Sequence, residues 1–129
     1  MTTGYRGGEM KVAFTSSGES LESALDSRFG RAPKFIVYDL DAKTFEVVDN
    51  ELNMNAAQGA GIQSAENVAR QGASALVTGH CGPKAFRVLE AAGIKVYTSD
   101  APTVADALML YLEGKLTEST SADVEGHWA

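Results

Sequence analysis

Two β-rich runs lie so close together that only one connection can join them. FIVYDL within residues 34–40 and TFEVVD at 44–49 are separated by Asp41, Ala42 and Lys43. A parallel crossover needs a dozen or more residues, so a short link of this kind forces an antiparallel hairpin. The rest of the chain alternates differently. Short apolar runs at 11–15 (KVAFT), 75–78 (ALVT) and 94–98 (IKVYT) read as buried strands. Helical spacing lies between them. In 60–71, Ile62, Ala65, Val68 and Ala69 share a face, and Gly72 is a natural stop. In 83–92, Pro83 suits a first helical turn, Ala85, Phe86 and Leu89 line one face, and Gly93 follows. In 103–113, Val104, Ala107, Leu108 and Tyr111 point inward before Gly114.

The order β–β–β–α–β–α–β–α predicts an α/β fold. Its sheet is five-stranded and mixed, with helices on its faces. Strands separated by helices run parallel, and the second strand runs antiparallel to the first. Ligands of open α/β sheets sit at the carboxyl ends of parallel strands. Here those ends lead into 16–20, 79–84 and 99–103. Residues 1–9 are expected to form a flexible extension and 118–129 an acidic flexible tail, leaving 10–117 as the functional domain. Trp128 in that tail is either solvated or docked on the body or a partner.

Charge and cysteine content narrow the function. The 129 residues carry 17 acidic and 11 basic side chains, a net charge of −6. That balance opposes a dedicated nucleic-acid binder, which needs a basic face. Half of the excess lies in the tail, since residues 10–117 hold 13 acidic against 10 basic groups. The single cysteine, Cys81, excludes an intrachain disulfide and a four-thiolate metal cage. No apolar stretch approaches the roughly 20 residues of a membrane span, and a cytoplasmic monomer is expected.

Several segments could carry chemistry. The turn after the first strand, Thr15–Ser20, offers hydroxyls, Ser16 among them, and N–H groups to an anion. It resembles the phosphate loop of flavodoxins, although Glu19 would repel a phosphate; a plain strand-to-loop turn is the competing reading. Arg28 and Arg31 flank Phe29-Gly30, either facing an anion or solvated around a buried Phe29. The polar stretch 50–61 is long for a loop in a compact domain, carries Met54 at its middle, and ends in Gly59-Ala60-Gly61. Gly79-His80-Cys81-Gly82-Pro83-Lys84 is the densest constellation. A helix N-terminus there favours anions, and Lys84 adds a cation. His80 and Cys81 are metal-ligand types, but adjacent residues rarely face one metal, so a buried structural cysteine and a surface histidine stand as the alternative. Carboxylates do not cluster, which weakens a two-metal nuclease.

Phe29-Gly30-Arg31-Ala32-Pro33, the following FIVYD strand, Gly59-Ala60-Gly61, Gly82-Pro83-x-Ala85-Phe86 and Ala92-Gly93-Ile94-Lys95-Val96-Tyr97 occur in that order. Together they resemble the nitrogenase iron–molybdenum cofactor biosynthesis family, which includes NifX-like carriers and the C-terminal part of NifB-like proteins. The resemblance spans about residues 10–117. It is strongest toward a small branch of the family known from sulfate-reducing bacteria. The resemblance implies a ribonuclease-H-like fold without ribonuclease activity. For that branch it implies non-covalent binding of an anionic molybdenum–copper sulfide cluster; for NifX-like carriers it implies transient binding of an iron–molybdenum cofactor precursor. Carried over by position, 59–61 and 79–84 would face the cluster. The chain is then expected to be a carrier and not an enzyme. The cluster would accept N–H···S contacts near Gly82, Arg31 and Lys84 would offset its charge, and Met54 would exclude water. The competing classes are a regulatory adaptor with a protein partner and a flavodoxin-like redox protein.

Overall fold

The computed structural model describes residues 10–54 and 59–120. The expected extension 1–9, the middle of the polar stretch at 55–58, and residues 121–129 with Trp128 lie outside the described residues. The elements are β1 (Lys11–Ser16), a 3-10 turn (Phe29–Arg31), β2 (Lys34–Asp39), β3 (Thr44–Asp49), α1 (Glu51–Met54), α2 (Ala60–Arg70), β4 (Ala75–Thr78), α3 (Pro83–Ala91), β5 (Lys95–Thr98), α4 (Val104–Leu112) and β6 (Thr117–Glu118).

They form one mixed sheet in the order β3-β2-β1-β4-β5-β6. β1, β4 and β5 are parallel neighbours, and β2 runs antiparallel beside β1. Among the described residues the sheet has six strands, not the five expected from sequence. The added strand, β6, pairs antiparallel with β5 through Tyr97↔Glu118 and Thr98↔Thr117. The Ser119 amide continues the ladder by donating to the Val96 carbonyl at 2.7 Å. Two residues are too few to show a period of two, and their pairing partner lies some twenty positions back, so local pattern could not reveal the strand. β6 straddles the expected boundary between domain and tail. The short helix α1 likewise occupies sequence that reads as irregular.

The β2–β3 hairpin turns through four residues, Leu40 to Lys43, because β2 ends at Asp39, one residue short of the apolar run. The Asp39 carboxylate accepts hydrogen bonds from the Asp41 and Ala42 amides, both at 3.0 Å. Lys43 turns the chain at φ 61° and its amide donates to the Asp39 carbonyl at 2.8 Å. This pins the register from Asp39↔Thr44 to Lys34↔Asp49. Among the described residues β3 pairs only with β2, at the edge of the sheet, and Phe45 and Val47 are each 38% exposed.

Alternation along the strands divides the core in two. Ala13, Phe35, Val37, Leu76 and Val96 point to the side covered by α2 and α3, where Phe29, Val68, Phe86 and Leu89 close the cluster. Val12, Phe14, Ile36, Ala75 and Val77 face Val104, Ala107 and Leu108 of α4. Each fully buried large side chain contributes about 1.5–3 kcal/mol relative to an exposed one. α4 is capped by Thr103, whose hydroxyl oxygen accepts from the Asp106 amide at 3.1 Å. The segment after β1 packs over this helix start: the Val104 amide donates to the Ser23 carbonyl and the Ala105 amide to the Leu21 carbonyl. That docking draws residues 17–25 to the α4 side of the sheet.

Candidate functional site

On the opposite side, three backbone segments meet. The 3-10 turn is anchored by Phe29, which is 2% exposed and stacks obliquely on Phe35 with ring centroids 5.6 Å apart. Its amide donates to the His80 carbonyl at 3.0 Å, tying the turn to the β4–α3 connection. Gly30 then lies against the first turn of α2. A β-carbon there would stand 3.0 Å from both the Cα and N of Gly61, so any side chain would force this backbone to give way. Gly61 in turn faces Ala85 of α3; a β-carbon on it would lie 3.3 Å from the Ala85 methyl.

Between these segments is a cleft of about 810 Å³, lined by Phe29, Gly30, Arg31, Gly59, Ala60, Gly61, Ile62, Gly82, Pro83, Lys84 and Ala85. That volume suits a small-molecule ligand. α2 and α3 both begin at this cleft. Their N-cap residues are Gly59 and Gly82, and neither makes a side-chain cap hydrogen bond. The first turn of a helix leaves N–H groups without intrahelical acceptors, and a glycine cap has no side chain to occupy them. Gly59 adopts φ 74°, a left-handed conformation that bends the chain sharply into α2. Each helix start carries roughly half a positive charge. Arg31 and Lys84, both exposed, add two full ones. No carboxylate lines the cleft among the described residues. The cleft therefore offers an anion N–H donors, two cations, and the apolar surfaces of Phe29, Ile62 and Pro83.

Of the residues singled out from sequence, Arg31, Gly59, Gly61, Gly82 and Lys84 line this cleft. Ser16 lies elsewhere. It is fully buried, its hydroxyl donates to the Gly18 carbonyl at 2.8 Å and accepts from the Gly18 amide at 3.1 Å. Its hydrogen bonds close its own loop. Arg28 lies 3.8 Å from Asp26. Met54 ends α1; its side chain lies outside the described residues. Cys81 is 3% exposed and belongs to the core cluster under α3. Burial pushes its thiol up to about 12. Its Sγ lies 3.7 Å from the Gly82 carbonyl oxygen, to which the protonated thiol donates. A thiol held in this way resists the deprotonation that metal ligation requires. His80 is half-buried, with Nε2 inside the protein. Among the described residues, no group of three or more His, Cys, Asp or Glu side chains could hold a metal ion.

Sequence reasoning put Pro83 in a turn expected to face the cluster, but it did not place Gly30, Ile62 or Ala85 in the site. Gly30 and Gly61 are a pair whose signal was readable only as two separate glycine motifs. Ile62 looked like a core position because it falls on the periodic face of α2.

The family described as dinitrogenase iron-molybdenum cofactor matches residues 9–114. The apo form of the orange protein from Desulfovibrio gigas superposes with a TM-score of 0.83 at 40% identity, over 86% of this chain and 93% of that one. A Thermotoga protein provisionally named NifB gives 0.76 at 37% identity, over 84% and 92%. An uncharacterised protein of Methanocaldococcus jannaschii is 34% identical over 95 residues, which are 71% of this chain and 80% of the relative. The chain thus belongs to the dinitrogenase iron-molybdenum cofactor family.

Proposed function

We propose that this protein binds and carries a preassembled, anionic metal–sulfide cluster in the cleft between the 3-10 turn and the starts of α2 and α3. The convergence of two glycine-capped helix N-termini with Arg31 and Lys84 carries this reading. Backbone N–H groups donate to bridging or terminal sulfides. The two cations offset charge, and Phe29, Ile62 and Pro83 shield part of the cluster from water. The metals keep their inorganic sulfide ligands, so no protein thiolate is needed; Cys81 then serves packing, and His80 serves the turn through its carbonyl. The similarity to the orange protein favours a molybdenum–copper sulfide as cargo. The family description and the NifB-named relative favour a second cargo of the same class, an iron–molybdenum cofactor precursor.

On this reading the chain is a carrier and not an enzyme. It works as a cytoplasmic monomer and hands its cargo to a protein partner without touching nucleic acid or membrane. No helix of the described residues is long and apolar enough to cross a membrane. The strand order β3-β2-β1-β4-β5 with β2 reversed supports the ribonuclease-H-like architecture, used here without nuclease chemistry. The test is metal analysis and a visible spectrum of protein isolated from its native source, repeated on Cys81→Ser. Molybdenum and sulfide in both proteins support ligand-free holding. Loss of the cluster from a folded Cys81→Ser refutes it, and copper or iron in the native protein separates the two cargoes.

A further inference from the structure

The 3-10 turn and α2 form two walls of the cleft, and one buried side chain is bonded to both the residue after the turn and the helix. Asn50 is 1% exposed. Its Nδ2 donates to the Ala32 carbonyl at 2.9 Å and to Ser64 Oγ at 3.0 Å. Its Oδ1 accepts from Asn53 Nδ2 at 2.8 Å and from Asn67 Nδ2 at 3.2 Å. A side-chain amide has two donor hydrogens and two acceptor lone pairs, so every site is used. Its own backbone amide donates to the Pro33 carbonyl at 2.8 Å.

The partners lie on separate walls. Ala32 and Pro33 directly follow Arg31, Ser64 and Asn67 belong to α2, and Asn53 belongs to α1. An apolar residue could fill the same volume, but only a directional group can fix the turn and the helix relative to one another. We propose that Asn50 is the positioning residue of the cleft: it holds Arg31 and the Gly30 backbone at a set distance from the first turn of α2. The consequence for cargo rests on the carrier reading above. The consequence for local motion does not.

The test compares Asn50→Ala with Val104→Ala, a substitution in the core on the far side of the sheet. Ser64→Ala, which removes one of the four partners, serves if Asn50→Ala fails to fold. The first readout is amide exchange in the cargo-free chain. The Arg31 amide, bonded to the Arg28 carbonyl, and the Gln63 amide, bonded to the Gly59 carbonyl, report on the two walls. Loss of the hub speeds both by about tenfold beyond any change in β4, since one lost hydrogen bond is worth about a factor of ten. Val104→Ala changes all amides in step. The second readout is titration with tetrathiomolybdate, whose Kd rises about tenfold in the Asn50 or Ser64 variant and not in Val104→Ala. Exchange at Arg31 and Gln63 that follows β4, or an unchanged Kd, overturns the positioning role. Selective loosening in a chain whose native form does not bind tetrathiomolybdate upholds the role and overturns the cargo reading instead.

Discussion

Replacing Gly30 by alanine tests the closest approach in the cleft. The new methyl would meet the Cα and N of Gly61 at 3.0 Å. Carbon atoms pack best at about 3.5–4.0 Å, so roughly half an ångström must be found. Both obstructing atoms are backbone in the first turn of α2, and α2 is itself braced on Ala85. No rotamer change can relieve the contact. Overpacking of this kind costs about 1–3 kcal/mol, which for a domain of this size lowers Tm by about 3–15 °C. Gly82→Ala is the matched comparison. Its methyl meets nothing within 4 Å, and its backbone at φ −70°, ψ 166° suits alanine. Reduced freedom of the unfolded chain offsets the poorer helix cap, so stability stays within about 1 kcal/mol of native. The methyl nevertheless intrudes beside the α3 start, where the cargo would sit. Thermal unfolding and tetrathiomolybdate titration of both variants separate the effects: Gly30→Ala loses stability and affinity, Gly82→Ala affinity alone. A Gly30→Ala protein as stable as native would refute the packing argument. Unchanged affinity in Gly82→Ala would refute the placement of the site.

Lys84→Gln and Arg31→Gln should each weaken tetrathiomolybdate binding by about fivefold, since a lost charge contact near the surface is worth about 1 kcal/mol. Binding by the native chain should also fall as salt rises from 0.05 to 0.5 M, and salt-independent affinity would contradict an electrostatic site. Cys81 gives a pH test. Its thiol is raised by burial from 9.0 to about 12 in the folded protein, so folding favours the protonated form. The associated stability is complete below the unfolded value and is lost between about pH 9 and pH 12. Denaturant unfolding of native and Cys81→Ala proteins should therefore diverge above pH 9, with the steeper decline in the native chain; parallel curves would show that the thiol is not buried. Thr103→Ala should cost about 1 kcal/mol through the lost α4 cap without altering tetrathiomolybdate affinity, which the same two assays check.

Much of the scaffold was legible because its signals are local. The three residues between FIVYDL and TFEVVD dictate a hairpin, Pro83 marks the start of α3, and Gly72, Gly93 and Gly114 follow the long helices. β6 was not legible, because two residues gain strand geometry only from β5. The site divided in the same way. Glycines at 59, 61 and 82 and the cations Arg31 and Lys84 stood out by type. What brings them together is long-range: the Phe29 amide reaches the His80 carbonyl, Gly30 abuts Gly61, and Asn50 bonds Ala32 to α2. Ser16 and Cys81 show the converse. Both had suitable chemistry in suitable turns, but a strand or turn residue can face either way. Ser16 is turned into its own loop and Cys81 into the core.

The central claim is that one cleft holds the cluster through backbone N–H groups and two cations. Backbone amide shifts recorded during titration of isotope-labelled protein with tetrathiomolybdate test it most directly. The account predicts saturable shifts concentrated at Gly30, Arg31, Ala60, Gly61, Lys84 and Ala85, all lining the cleft, and the same pattern in Cys81→Ala. Shifts centred instead on the hollow at Thr98, Ser99 and Lys115, or a pattern abolished by Cys81→Ala, would contradict it.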